Sequence, residues 1–288
     1  MNQELYASLI AGGMDEAMAR KIASEGESGK SKMPFDVIKI NYDKEDVLID
    51  LGVKKGAFIS GYQIDKSTLS VKQEGKIFNQ PMEVVVASVT HQASTYDPSK
   101  GGYKYVTPFF DDAFDTPKIV EFKTGKTIGQ LRKEVPAQDK PVFNTVLLLL
   151  VKEGKEYTPY IMYLRGKNLF EFNQQLKDEG FDKINKVKIV KTMKWKTKKV
   201  PTKATPAWVI DLVDIKQNPD IKPNSSFMNT LIEATKEFDA WKESFNAENA
   251  QKNSVASTTT NNVTENNNDV ASQEPDIDVN DIDEEPPF

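Results

Sequence analysis

Between Asp182 and Asp211 the chain carries no acid, yet Lys186, Lys188, Lys191, Lys194, Lys196, Lys198, Lys199 and Lys203 all fall in the span, with Trp195 and Trp208 close by. On a strand, successive side chains point to opposite faces. Lys186, Lys188, Lys194, Lys196 and Lys198 would then share one side, with Ile189, Met193 and Trp195 among the residues on the other. A cationic ribbon of this kind neutralises phosphates, and indole faces beside it can stack on bases. The competing explanation is an edge strand blunted against aggregation, for which lysine is a common device. This much charge without a compensating acid exceeds what edge protection requires, so the ribbon is read as a nucleic-acid contact.

A second candidate lies between Tyr96 and Phe122, a stretch dense in aromatics: Tyr96, Tyr103, Tyr105, Phe109, Phe110, Phe114 and Phe122. Pro98, Gly101-Gly102, Pro108 and Pro117 mark it as loop and hairpin. Tyr103 and Tyr105, flanked by Lys100 and Lys104, are candidates for stacking on bases. Phe109, Phe110 and Phe114 sit among Asp111, Asp112 and Asp115, which repel phosphate, so these rings are expected to form a minor core.

Other chemistries find little support. With no cysteine and one histidine, His91, the chain lacks thiolate metal sites and cysteine nucleophiles. Gly29-Lys30-Ser31 matches the end of a phosphate loop, but Ser24 stands where the first glycine should be and Met33-Pro34 follows where a helix should run. Asp111 and Asp112, or Asp43, Glu45 and Asp46, are hard-cation ligands in kind, without a spaced carboxylate set partnered by lysine or histidine. We therefore expect no enzyme, no cofactor and no metal. The longest apolar run, 146–151, is too short to span a bilayer, and the N-terminus lacks a leader pattern, so a cytoplasmic protein without membrane contact is expected.

The elements that must hold these residues are mostly strands. Residues 1–25 read as a small helical appendage split by Gly12-Gly13, and 26–32 as a linker. From Phe35 come short runs rich in Val, Ile, Phe and Tyr: V-I-K-I, V-L-I-D-L, A-F-I-S-G-Y and S-T-L-S-V. Stronger strands follow at 82–90, 146–151, 157–164, 187–196 and 208–213. A hairpin turn at Glu153-Gly154-Lys155 joins the second and third, and a helix capped by Asn168 and ended by Gly180 follows the third. Three strands, a helix and two strands is the order of an OB-fold, a five-stranded Greek-key barrel. The expected fold is thus mainly β with peripheral helices: an elaborated OB-fold over 33–222 with an insertion around 96–140. A helix over 223–249 follows. Its Phe227, Leu231, Ala234, Phe238, Trp241 and Phe245 form one stripe, for which packing against the barrel is the ordinary explanation and a dimer seam the alternative.

Beyond Asn249 the composition collapses into Ser, Thr, Asn and Gln and ends E-P-D-I-D-V-N-D-I-D-E-E-P-P-F. Residues 250–288 are expected to be disordered. Residues 246–288 carry a net charge of about −9, leaving the body basic within a chain of net charge −5. An acidic run alone is ordinarily a solubilising tail, but this one stops at Pro286-Pro287-Phe288, placing a ring and the terminal carboxylate on one residue. The arrangement resembles the tail of bacterial and phage single-stranded DNA-binding proteins, although Pro286 stands where that family usually has isoleucine. The resemblance covers the linker and tail. It implies that Phe288 enters an apolar pocket on a partner, that Pro287 shapes the tip, and that Asp281, Asp283, Glu284 and Glu285 meet basic residues there. It further implies a phage-type protein of the host cytoplasm that binds single-stranded DNA without sequence preference in replication, recombination and repair. Its tail would recruit a polymerase, helicase, primase or nuclease and occupy the basic groove when DNA is absent. A non-DNA-binding accessory factor with the same tail is the alternative. Monomer and dimer are both compatible with the sequence.

Overall fold

The run T-V-L-L-L-L-V near the middle of the chain has no polar alternation, so a strand formed from it must be covered on both faces. The computed structural model describes residues 33–42, 47–65, 68, 70–97, 102–180, 191–201, 207–217 and 225–256. The 1–25 appendage, Lys100, Lys186, Lys188, Lys203, the acids Asp43, Glu45 and Asp46, and residues 257–288 with Asp281, Asp283, Glu284, Glu285, Pro287 and Phe288 lie outside them. In chain order the strands and helices are β1 (Val37–Ile40), β2 (Phe58–Ser60), β3 (Gln63–Asp65), β4 (Ser70–Gln73), β5 (Lys76–Ile77), β6 (Met82–Asp97), β7 (Gly102–Val106), α1 (Ile128–Glu134), β8 (Val142–Glu153), β9 (Glu156–Leu164), α2 (Gly166–Asp178), β10 (Lys191–Val200), β11 (Ala207–Gln217) and α3 (Ser226–Ala256).

Nine strands form one open, mixed sheet in the order β11-β10-β6-β8-β9-β1-β2-β5, with β7 continuing beside the far end of β6; β3 and β4 pair separately. All its ladders are antiparallel except β1 with β9. The apolar run is β8, and its side chains divide as its composition requires. Leu147, Leu149 and Val151 enter one core, closed by Phe172 and Leu176 of α2. Val146, Leu148 and Leu150 enter a second core beneath α3, where Leu231, Ala234, Phe238 and Trp241 cover the sheet. The α3 stripe is thus packed against the sheet of its own chain. Truncating Phe238, fully buried there, to alanine costs about 3–5 kcal/mol.

The strand at 82–90 runs on to Asp97 through polar residues. Thr90, His91 and Gln92 are buried, and each finds a partner: Thr90 Oγ1 donates to Phe110 O (3.1 Å), His91 N to Phe110 O (2.8 Å) and Gln92 Nε2 to Thr107 O (3.3 Å). By contrast, V-L-I-D-L is a turn and not a strand. Leu48 O accepts from Leu51 N (3.2 Å) and Val53 N (2.9 Å), and Gly52 takes φ +79°. Val47, Leu48 and Val53 are buried, the last two against Ile59, while Ile49, Asp50 and Leu51 are exposed, because the run lacks the period of two that would seat a strand on one face. The helix after β9 starts at Gly166, two residues before the expected cap. Asn168 instead accepts a hydrogen bond from Ile210 N (3.1 Å) on β11. Gly180, at φ +84°, follows its end as expected.

Among the described residues, side chains and not a backbone ladder join the distant parts of the sheet. Lys76 of β5 ion-pairs with Glu153 at the end of β8, although β9, β1 and β2 lie between them in the sheet. Tyr160 donates to the same carboxylate (2.8 Å), and its ring meets Phe78 edge-on. At the other end of the roll, Gln80 Nε2 and Thr197 Oγ1 both donate to Gly56 O, and Thr197 N donates to Gln80 Oε1 (3.0 Å). Tyr42, just past β1, donates through its hydroxyl to Trp208 O (3.0 Å) on β11. The region around β1 and β2 is joined in this way to β10 and β11.

Candidate nucleic-acid interface

The lysines sit on an interior strand. β10 pairs with β11 along its length and with β6 over Thr192 to Trp195, so edge protection does not explain Lys194. From Lys196 onward β10 outruns β6 and pairs with β11 alone, forming a two-stranded overhang. The faces divide as alternation predicts. Met193 and Trp195 are fully buried, while Lys194 and Lys198 are half-buried and Lys196 exposed. Trp195 packs edge-on against Phe172 with centroids 5.3 Å apart, and at 0 % exposure it offers no face to a base. Its assignment as a stacking residue is corrected: it is a core residue, drawn inward by the alternation that turns the lysines out. Lys191 opens the strand opposite Gln217.

Counter-charges come from neighbouring strands. Asp211 contacts both Lys196 (3.4 Å) and Lys198 (3.2 Å). Lys194 lies in register with Asp214 of β11 and Glu83 of β6. A linear scan from Asp182 to Asp211 misses this, because the compensating acids are cross-strand neighbours. Lys199 escapes the pattern: it is exposed, lies opposite Trp208, and its Nζ sits 5.0 Å from the centre of that indole. Tyr42, which the sequence does not single out, completes this group through its bond to Trp208 O.

The tyrosines are elsewhere. β6 and β7 form a hairpin in which Tyr96 and Tyr103 meet edge-to-face at 6.1 Å, each 39 % exposed. Tyr105 packs on the small core of Ala93, Ile128 and Leu131, and Lys104 lies over its ring while paired with Asp139 at 2.6 Å. β6 joins β10 at one end and carries this hairpin at the other, roughly 40 Å away along the strand. The structure therefore does not bring Tyr103, Lys104 and Tyr105 to the lysine overhang. Phe109 leaves the proposed minor core for α3, lying 5.0 Å from Trp241 and 5.2 Å from Phe245, while its amide donates to Asn246. Phe110 packs on His91, and Phe114 is 66 % exposed, contrary to the expectation of a core role.

The buried polar groups here have structural duties. Burial lowers the pKa of His91 to about 4, despite the opposing pull of Asp111 and Asp112; its Nδ1 shares a hydrogen bond with Thr145 Oγ1 (3.1 Å), and its ring stacks on Phe143. Glu121, fully buried, accepts from Val106 N (3.0 Å), Thr124 N (2.8 Å) and Thr124 Oγ1 (2.9 Å), which pins the insertion to β7. Among the described residues, no group of three or more His, Asp or Glu converges with the geometry of a metal site. No described helix is long and apolar enough to cross a membrane. Compared with known proteins, the chain matches no family model, no curated protein and no solved structure.

Proposed function

We propose that this chain binds single-stranded DNA without sequence preference, during replication, recombination or repair, with the overhang of β10 and β11 as its principal contact. The observation that carries the reading is Lys199 over the indole of Trp208 on one face of this two-stranded segment, with Lys196 and Lys198 turned out on its other face, since cations around an indole suit phosphates beside bases. The elaborated OB-fold belongs to the same proposal. It is supported by the chain order β6, β8, β9, α2, β10, β11 and by the rolling of the sheet through Lys76, Gln80 and Tyr42. The acidic tail ending in Phe288 would recruit a polymerase, helicase, primase or nuclease, in a host cytoplasm if the chain is phage-encoded.

Asp211 favours a second reading, because a ribbon that carries its own acids has less charge to offer. On that reading the protein is an accessory factor of replication that works through its tail alone. The deciding experiment is titration of tryptophan fluorescence with oligo-dT and with duplex DNA at two salt concentrations. Salt-sensitive binding of the single strand alone, abolished by replacing Lys194, Lys196 and Lys198 with Glu, supports the first reading. Absence of binding to either DNA leaves the second.

A further inference from the structure

Three hydrogen bonds sew the outer edge of β7 to the segment that follows it. Val106 N donates to Glu121 Oε1 (3.0 Å), Phe122 N donates to Val106 O (3.1 Å), and the Lys123 ammonium donates to Tyr103 O. Glu121 is fully buried, so this segment is anchored and holds Lys123 beside the hairpin. Tyr96 and Tyr103, opposite each other in the β6–β7 ladder, meet edge-to-face and are each 39 % exposed. In such a pair one ring shields a single face of the other, so stacking surface remains. Lys123 is exposed, and the Tyr103 carbonyl takes one of its three donors. Among the described residues no carboxylate pairs with it. The nearby acids Asp97 and Asp139 act instead on Lys104, which lies over the ring of Tyr105.

We propose that Tyr96, Tyr103 and Lys123 form a second contact for a single strand, with a base on the exposed rings and a phosphate on the ammonium. The inference rests on the single-stranded DNA reading given above and adds a separate site to it. The pairing expected from the sequence, Tyr103 and Tyr105 with Lys104, gives way to Tyr103 and Tyr96 with Lys123, because Tyr105 turns to the core of Ala93, Ile128 and Leu131 and Asp139 engages Lys104. β6 sets the distance between the two contacts, with β10 at its first residues and this hairpin at its last, roughly 40 Å apart along the strand. At the ~3.4 Å spacing of a stacked strand that is about 12 nucleotides, and fewer when the strand is stretched. Once one contact holds the strand, the other forms intramolecularly, so affinity rises steeply with length when both are reached. Rings that already hold each other lose little freedom when a base arrives, so more of the stacking energy appears as affinity.

The test is fluorescence anisotropy of labelled oligo-dT with the full chain, using one strand of about 5 nucleotides, too short to bridge the contacts, and one of about 15. Tyr96→Ala combined with Tyr103→Ala weakens binding of the longer strand about 5-fold or more, the loss of a base–aromatic stack, and leaves the shorter strand unaffected. Lys123→Gln lowers the salt dependence for the longer strand by about one phosphate contact, and Lys123→Arg restores it. Unchanged affinity of the tyrosine variant for the longer strand, or an equal loss for both strands, overturns the second contact and leaves the overhang reading standing. Failure of the wild-type chain to bind either strand overturns both. Should the tyrosine variant lose its fold by circular dichroism, photocrosslinking of the longer strand, carrying bromodeoxyuridine, to the wild-type chain decides. Adducts on Tyr96 or Tyr103 support the site, and adducts confined to other residues overturn it.

Discussion

The ring of Trp208 lies so close to Gly56 that a Cβ atom added there would fall 2.3 Å from the indole, on a backbone already at φ +81°. Gly56→Ala therefore meets two penalties at once: about 1 kcal/mol for a left-handed conformation and a further 1–3 kcal/mol for overpacking. Gly52, at φ +79° with nothing near its Cβ position, isolates the first penalty. Urea unfolding should show Gly56→Ala clearly less stable than Gly52→Ala. Equal losses would mean that the indole moves aside freely.

β11 ends the sheet, and side chains occupy its outer edge. Gln175 Nε2 donates to Ile210 O (2.8 Å) while its Oε1 accepts from Leu212 N (2.6 Å), as a peptide group of a further strand would. Gln175→Met keeps the volume but strips both partners. We expect a loss of about 1–3 kcal/mol together with concentration-dependent self-association, because an unsealed edge invites another strand. Light scattering and denaturant titration measure the two effects, and a monodisperse variant of wild-type stability would refute this role.

Acid should weaken the fold through His91. Its folded pKa of about 4 lies below the unfolded value near 6.5, so the unfolded chain binds the extra proton first as pH falls. The stabilisation is complete above pH 6.5 and is lost progressively toward pH 4, where the loss amounts to about 3 kcal/mol. Because the chain has a single histidine, its imidazole proton resonance is unambiguous, and a midpoint near 6.5 in the native protein would contradict this assignment.

Removing Asp211 should strengthen DNA binding. Asp211→Asn releases Lys196 and Lys198 from a shared carboxylate, and affinity for oligo-dT at low salt should rise severalfold, with a steeper dependence on salt concentration. No change in affinity or slope would place the DNA elsewhere.

The strands most plainly written in the sequence were those with a strong local pattern. Leu147 to Leu150 demanded cover on both faces and have it, and the stripe from Phe227 to Trp241 packs as its spacing implies. What stayed hidden depends on pairing between distant segments. Nothing in V-I-K-I indicates that β1 lies parallel to β9, or that Tyr42 reaches Trp208. The lysine ribbon looked uncompensated because its acids are cross-strand neighbours: Asp211 pairs with Lys196 and Lys198, while Asp214 on β11 and Glu83 on β6 lie in register with Lys194. Asn168 carries every local mark of a helix cap, yet its side chain serves β11, since an unpaired edge amide was the more demanding partner.

The seam at Gly56, Gln80, Thr197 and Trp208 behaves as a clasp and not as a stitched hem. In a backbone ladder each rung is held by the next, so strands part cooperatively and at high cost. A closure made from separate side chains has no such reinforcement, and local opening there needs only a few contacts to let go. Amide protons of Gly56 and Thr197 should accordingly exchange with solvent well before those of β8, marking the place where this rolled sheet first breathes.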